Sequence, residues 1–322
     1  MTKSILRCGL LALVAAAVSG AVDVAGPIAG YVADPTQPIL RAISGVPGSY
    51  LFSDPLSLPP DVTRVHVAAV RDFALAQRGD AGLGMLYLKG GAVDRVADLP
   101  GAIASPDWVV FSPSAVSALL FSAAGGRLQL LTGLPDAPQV ALDLQTAGFP
   151  EQPLNAAASD DGSLLLISSR HSVYRLPRDG PPQLVLSTGQ IVSLAVLRNG
   201  ADAVLSERTT GSIHVLQNVA TAAADRVLVS GMGGIGKVYP GSDERSLIVA
   251  RPGARLVSSV DLASGEIQNF PSPTMPVELL PLRNRDTFLI SARPRQPGGI
   301  FLRDGTSSRV LLVPAVAGED AQ

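Results

Sequence analysis

The side chains able to do chemistry are few and scattered. The three histidines, His66, His171 and His214, share no H-x-x-x-H or similar short spacing, so there is no zinc signal. The single cysteine is Cys8, near the N-terminus. No G-x-S-x-G elbow presents a serine as a nucleophile. What remains is a set of oxygen donors, Asp107, Glu151, Asn155 and Glu278. Hard oxygens of this type suit a divalent cation such as calcium, which can polarise a carbonyl if several of them converge. The stretch "GMGGIG" places Gly231, Gly233 and Gly236 in G-x-G-x-x-G register after the strand-like "DRVLVS". A dinucleotide site needs a helix N-terminus next, to receive the pyrophosphate. Here "KVYPGSDERS" follows, with Pro240 and a turn, so the glycines read as a loop. "SDDG" at 159–162 lacks the spacing of an EF-hand loop and reads as a turn.

The elements that must position these residues are strands, and they repeat. Six short apolar segments recur: "DFALAQ" ending at Gln77, "SALLFS" at Ser122, "SLLLIS" at Ser168, "DAVLS" at Ser206, "SLIVA" at Ala250 and "TFLIS" at Ser291. Their ends lie 45, 46, 38, 44 and 41 residues apart. A period of about 43 residues is the length of a four-stranded propeller blade. Each segment leads into a strand-turn-strand signature, such as "GRLQLLTGLPDAPQVALDL" or "GGIFLRDGTSSRVLLV". Turn residues sit where tight or left-handed backbone is needed, as in "RDG" at 178–180 and 303–305 and "ASG" at 263–265. With 32 Gly and 26 Pro, the chain is punctuated too often for long helices. The fold class is therefore all-β, a propeller of four-stranded antiparallel blades.

The six repeats span 62–314 and leave 22–61 as an incomplete N-terminal blade of three strands, with 315–322 as a tail. Seven blades are the expectation; a six-bladed ring with an N-terminal hairpin packed outside is the alternative. Ring closure removes the sheet edges that would otherwise template aggregation. In such a ring Asp107, Glu151, Asn155 and Glu278 lie just before or within innermost strands. His66 falls in an innermost strand, "RVHVAAV", as a hydrogen-bonded structural histidine or as a side chain facing the central channel. His214 shares a hairpin column with Tyr87, Tyr174 and Phe301 and reads as outer-strand packing. Trp108, which begins "WVVFS", reads as packed between blades.

A short strand, a small polar residue, a Gly-containing step and a hairpin recur in "LLFSAAGGRLQLL", "VLSERTTGSIHVL" and "FLISARPRQPGGIFL". This pattern resembles the repeats of secreted bacterial propellers of the YVTN and quinoprotein amine dehydrogenase β-chain-like type. The resemblance implies a seven-bladed ring and export. It covers most of the chain after the leader, without the literal Tyr-Val-Thr-Asn motif or the His and Trp-Asp pair of WD40 blades. Propeller hydrolases resembling lactonases gather Glu, Asn and Asp oxygens around a divalent cation where Asp107, Asn155 and Glu278 fall.

Residues 1–21 have the form of a signal peptide. "MTKSILR" is its positive start, "CGLLALVAAAV" its apolar core and "SGA" its small-residue end, which puts the mature N-terminus near Val22. The apolar core is too short to span a membrane, and no later stretch spans one. The expected location is secreted or periplasmic. A mature chain lacking cysteine forms no disulfide, c-type haem linkage or cysteine-based quinone crosslink. The net charge of −2 gives no basic footprint for nucleic acid. The functional expectation is a secreted, non-enzymatic, monomeric scaffold that binds a protein, glycan or small ligand without a cofactor. The alternative is a metal-assisted lactone or ester hydrolase with a calcium-type cation at the channel mouth, held by Asp107, Asn155 and Glu278.

Overall fold

The second strand of each repeat is apolar without alternation, a pattern that suits a strand with both faces buried. A computed structural model, which describes residues 26–46, 49–283, 287–290, 298–304 and 307–313, shows what buries them. The strands form seven antiparallel sheets in strict chain order, one of three strands and six of four. We number them blades 1 to 7. Their innermost strands are Ile28–Ala33, Val62–Val67, Trp108–Phe111, Asn155–Ala158, Ile191–Val196, Val238–Pro240 and Leu279–Pro281. Among the described residues the only helical turns are three short 3-10 segments. The expected leader at 1–21 and the tail at 315–322 lie outside the described residues.

Alternate residues of one second strand enter two different cores. In blade 2, Phe73 and Leu75 face blade 3, while Ala74 and Ala76 face blade 1. In blade 6, Leu247 and Val249 face blade 5, while Ile248 and Ala250 face blade 7. Seven apolar clusters result, one at each junction between neighbouring blades. The junction that closes the ring joins Val32, Ile43 and Tyr50 of blade 1 to Leu282, Leu289 and Ile300 of blade 7. The Arg283 amide donates to the Ala29 carbonyl across it at 2.8 Å, and Gly30 leaves space that Leu282 occupies. Blade 1 is therefore a member of the ring, and the six-bladed alternative is set aside.

One backbone bond marks the repeat in all seven blades. At the turn after each innermost strand, an amide donates to the carbonyl five residues on, at 2.8–3.0 Å. The pairs are Asp34 to Ile39, Ala68 to Phe73, Ser112 to Ser117, Ser159 to Leu164, Leu197 to Asp202, Gly241 to Ser246 and Leu282 to Thr287. Asx-type side chains brace several of these turns. Asp161 accepts from the Ser159 hydroxyl at 2.6 Å and the Ser163 amide at 2.9 Å, so "SDDG" is a turn. Among the described residues blade 1 has three strands and no fourth. A Pro-rich run, 53–61, leads to blade 2 instead, and its Leu56 and Leu58 pack into the core between blades 1 and 2.

Among the described residues the closing core has the fewest buried members, so it should be sensitive to truncation. Leu289→Ala, at a fully buried position of that core, is expected to cost about 2–5 kcal/mol in urea unfolding. Leu184→Ala, 60% exposed, should stay within about 0.5 kcal/mol. Equal losses would mean that blade 1 does not seal the ring.

Candidate functional site

A cavity of about 780 Å³ runs along the ring axis and is lined by residues from the innermost strands of all seven blades. Its walls are mostly small and apolar, for example Val109, Ala156, Ala157 and Ala195. Polar residues collect where the innermost strands begin: Arg64, Asp107, Asn155, Lys237 and Glu278. Asp107, Asn155 and Glu278 thus share one mouth of the channel, on blades 3, 4 and 7. Glu151 is exposed and is not part of the lining.

Each of the three makes a hydrogen bond or ion pair within the protein. Asp107 accepts from the Ala123 amide at 2.6 Å and so braces the turn at 122–126 of its own blade. Asn155 donates through Nδ2 to the Ser168 hydroxyl at 3.1 Å, across the register of its strand. Glu278 pairs with Lys237 of the preceding blade. Both partners of that pair are nearly half exposed, so its worth to stability is about 1 kcal/mol or less. Among the described residues, no three His, Cys, Asp or Glu side chains cluster as metal ligands. Blades 5 and 6 are stitched beside this mouth by Ser193, whose hydroxyl accepts from the Val238 amide at 3.2 Å. Tyr239 accepts from the Leu279 amide at 3.3 Å, linking blades 6 and 7.

His66 is both hydrogen-bonded and on the channel wall. Gln77 fixes its chemistry. The Gln77 amide nitrogen donates to the Pro106 carbonyl at 2.6 Å and lies 3.2 Å from His66 Nε2. A carbonyl only accepts, so that atom of Gln77 is the nitrogen, and Nε2 must be the unprotonated acceptor. Nδ1 then carries the hydrogen. Burial, reinforced by the neighbouring Arg64 charge, lowers the imidazole to about 4, so it is neutral near pH 7. Trp108 stacks on Phe121 at 4.8 Å, packs into the core between blades 3 and 4 and also lines the channel.

The remaining singled-out residues lie elsewhere. His214 is buried in the third strand of blade 5, its Nδ1 3.0 Å from an Asp225 oxygen. His171 is exposed. The "GMGGIG" segment links blade 5 to blade 6 and is anchored: Met232 donates to the Gly211 carbonyl at 2.9 Å, and Gly236 accepts from Ser206 at 2.6 Å. No helix follows it.

Composition and spacing gave no hint of Glu207, which organises a loop on the same side of the ring. Its side chain is buried at the end of the second strand of blade 5. It accepts from the Thr210 amide at 2.9 Å and also from the Thr209 amide and the Thr210 hydroxyl. Gly189 is needed opposite it, because a Cβ there would lie 2.0 Å from a Glu207 oxygen.

No protein-family model matches the chain, and no curated protein does. Solved structures do. A functionally unknown protein from Desulfotomaculum acetoxidans DSM 771 aligns with TM-score 0.61 and 15% identity, over 91% of this chain and 96% of its own. A protein from Lactobacillus plantarum gives 0.58 and 13%, over 89% and 94%. A Bacteroides uniformis ATCC 8492 protein, described as a proposed 6-phosphogluconolactonase, gives 0.52 and 14%, over 77% and 83%. At such identities the likeness is one of fold.

The Glu207 loop makes a pH-dependent prediction. Burial alone would raise the carboxyl, but the hydrogen bonds from Thr210 and Thr209 outweigh it and hold the group at about 2 instead of 4.5. A depressed carboxyl adds stability above the ordinary value and loses it as pH falls toward about 2. Glu207→Gln is therefore expected to cost about 1–3 kcal/mol at pH 7 in urea unfolding. The difference from the parent should narrow at pH 3; a constant difference would contradict the assignment.

Proposed function

We propose that this chain is an exported binding propeller that takes its ligand at the channel mouth formed by Asp107, Asn155, Lys237 and Glu278 and performs no chemistry on it. The channel carries this reading. A cavity of about 780 Å³ lies within the range of small-molecule sites, about 300–1,000 Å³, which are apolar with a few placed polar groups. Exposed apolar side chains lie close in sequence to the residues of this mouth. Leu154 is 54% exposed, and Met275 and Val277 are 54% and 57% exposed on the loop entering blade 7. Apolar groups gathered on a polar rim are a feature of binding surfaces. Asp107 and Glu278 each commit a carboxylate oxygen within the protein, and Asn155 bonds through its amide nitrogen, which favours a recognition role over metal ligation. Export rests on the signal-peptide form of 1–21, and among the described residues no helix is long and apolar enough to cross a membrane. Membership of the YVTN or amine dehydrogenase β-chain-like repeats belongs to the same proposal.

A second reading has one observation in its favour: Asp107, Asn155 and Glu278 do share a mouth. A metal-assisted lactone or ester hydrolase would place a calcium-type ion among them, with the ion polarising the scissile carbonyl. One preparation separates the two readings. Protein recovered from the exported fraction should begin at Val22 by intact mass and carry less than stoichiometric divalent metal, in both the parent and Glu278→Ala. Stoichiometric calcium that disappears in Glu278→Ala would favour the hydrolase, and an intact leader would remove the export proposal.

A further inference from the structure

We infer that Arg64 and His66 are the anion-recognising element of the channel and that its ligand carries a carboxylate beside an apolar body. This rests on the reading of the channel as a ligand site. Arg64 and His66 stand two residues apart on the innermost strand of blade 2, so both project from one side of it, about 7 Å apart along the strand. Both line the channel.

Two kinds of donor meet there. Among the described residues Arg64 makes no ion pair or side-chain hydrogen bond, and its charge is felt by His66. The other cations of the lining are engaged: Lys237 with Glu278, and Arg198 with another group. Arg64 is therefore the uncompensated positive charge of the wall, half-buried against apolar neighbours. His66 presents Nδ1–H, because Gln77 occupies Nε2 as a donor. His66 lines the channel, and its Nδ1 is not among the buried side-chain atoms left without a partner. A guanidinium and a neutral N–H on one wall fit the two oxygens of a single anionic group, in charge-assisted bonds.

The charge count selects a carboxylate. One cation matches a monoanion, whereas a phosphate monoester would bring close to two negative charges to a wall that offers one guanidinium and one neutral N–H. Val109 and Phe111, which pack toward blade 2 from the innermost strand of blade 3 and line the channel, give the ligand's apolar part its surface.

Trp108, the single tryptophan of the chain, lines the same channel from the blade 4 side of its strand, so its fluorescence reports on solutes that enter the channel. The probes are iodide, a quenching anion, and acrylamide, a neutral quencher, applied to the whole exported protein. Iodide quenching is expected to fall at least threefold in Arg64→Gln and in His66→Phe, with acrylamide quenching unchanged in both. His66→Phe is the decisive variant, since it removes a donor and no charge. In the unmodified protein, acetate at fixed ionic strength should relieve iodide quenching more than phosphate does. Unchanged iodide quenching in His66→Phe, or no effect of acetate on the unmodified protein, would overturn the site. Stronger relief by phosphate would overturn the carboxylate assignment. Failure of acrylamide to reach Trp108 would refute the open channel itself, and the proposed binding function with it.

Discussion

Every blade here has two apolar faces, and no blade can cover both by itself. The requirement that each face meet a neighbour fixes the architecture. Ala74 and Phe73 are adjacent in sequence yet belong to different cores, so blade 2 is complete only between blades 1 and 3. The same holds around the ring, and it obliges the last blade to meet the first. Closure therefore falls to Val32, Ile43 and Tyr50 against Leu282, Leu289 and Ile300. The channel is a by-product of that closure. Seven innermost strands held at fixed positions enclose a cavity, and lining residues such as Ala156, Ala157 and Val238 belong at the same time to the junction cores.

The polar side chains of the mouth lie outside those cores and are left to carry recognition. Ser193, Tyr239 and the Lys237–Glu278 pair bond across blade junctions, so the polar mouth is a set of links between neighbours. Arg64 departs from this pattern. It is a charge on the wall for which no described residue supplies a counterion, beside a histidine whose tautomer is set from behind by Gln77. Second-strand residues such as Gln77 thus reach across to the next blade and determine what the first strand presents. Stability and recognition meet in that one side chain.

Much of the fold was legible because burial on both faces leaves a simple trace. Runs such as "SLLLIS" and "SLIVA" stay apolar at every position, and their spacing repeats. Blade 1 was harder to read, since its missing fourth strand and the Pro-rich 53–61 run break the period. Its place in the ring is visible only in contacts, such as Arg283 to Ala29. The mouth was half legible. Asp107, Asn155 and Glu278 could be placed there because each lies at the start of an innermost strand. Their partners could not, because an amide at Ala123, a hydroxyl at Ser168 and an ammonium at Lys237 are brought in by register and by the neighbouring blade. Arg64 went unnoticed for the same reason: whether a charge is paired is a property of its surroundings, and no local pattern encodes it. Glu207 is similar, a carboxylate whose role depends on Gly189 in a different loop.

Removing blade 1 tests ring closure most directly. Deletion of residues 26–61 would uncover the apolar faces of blades 2 and 7 together. A ring that needs seven members should then lose its single cooperative melting transition and associate through those faces, as read by calorimetry and light scattering. A truncated chain that stays monomeric and melts cooperatively at the parent temperature would show that six blades close without it, and the closed seven-bladed ring would be wrong.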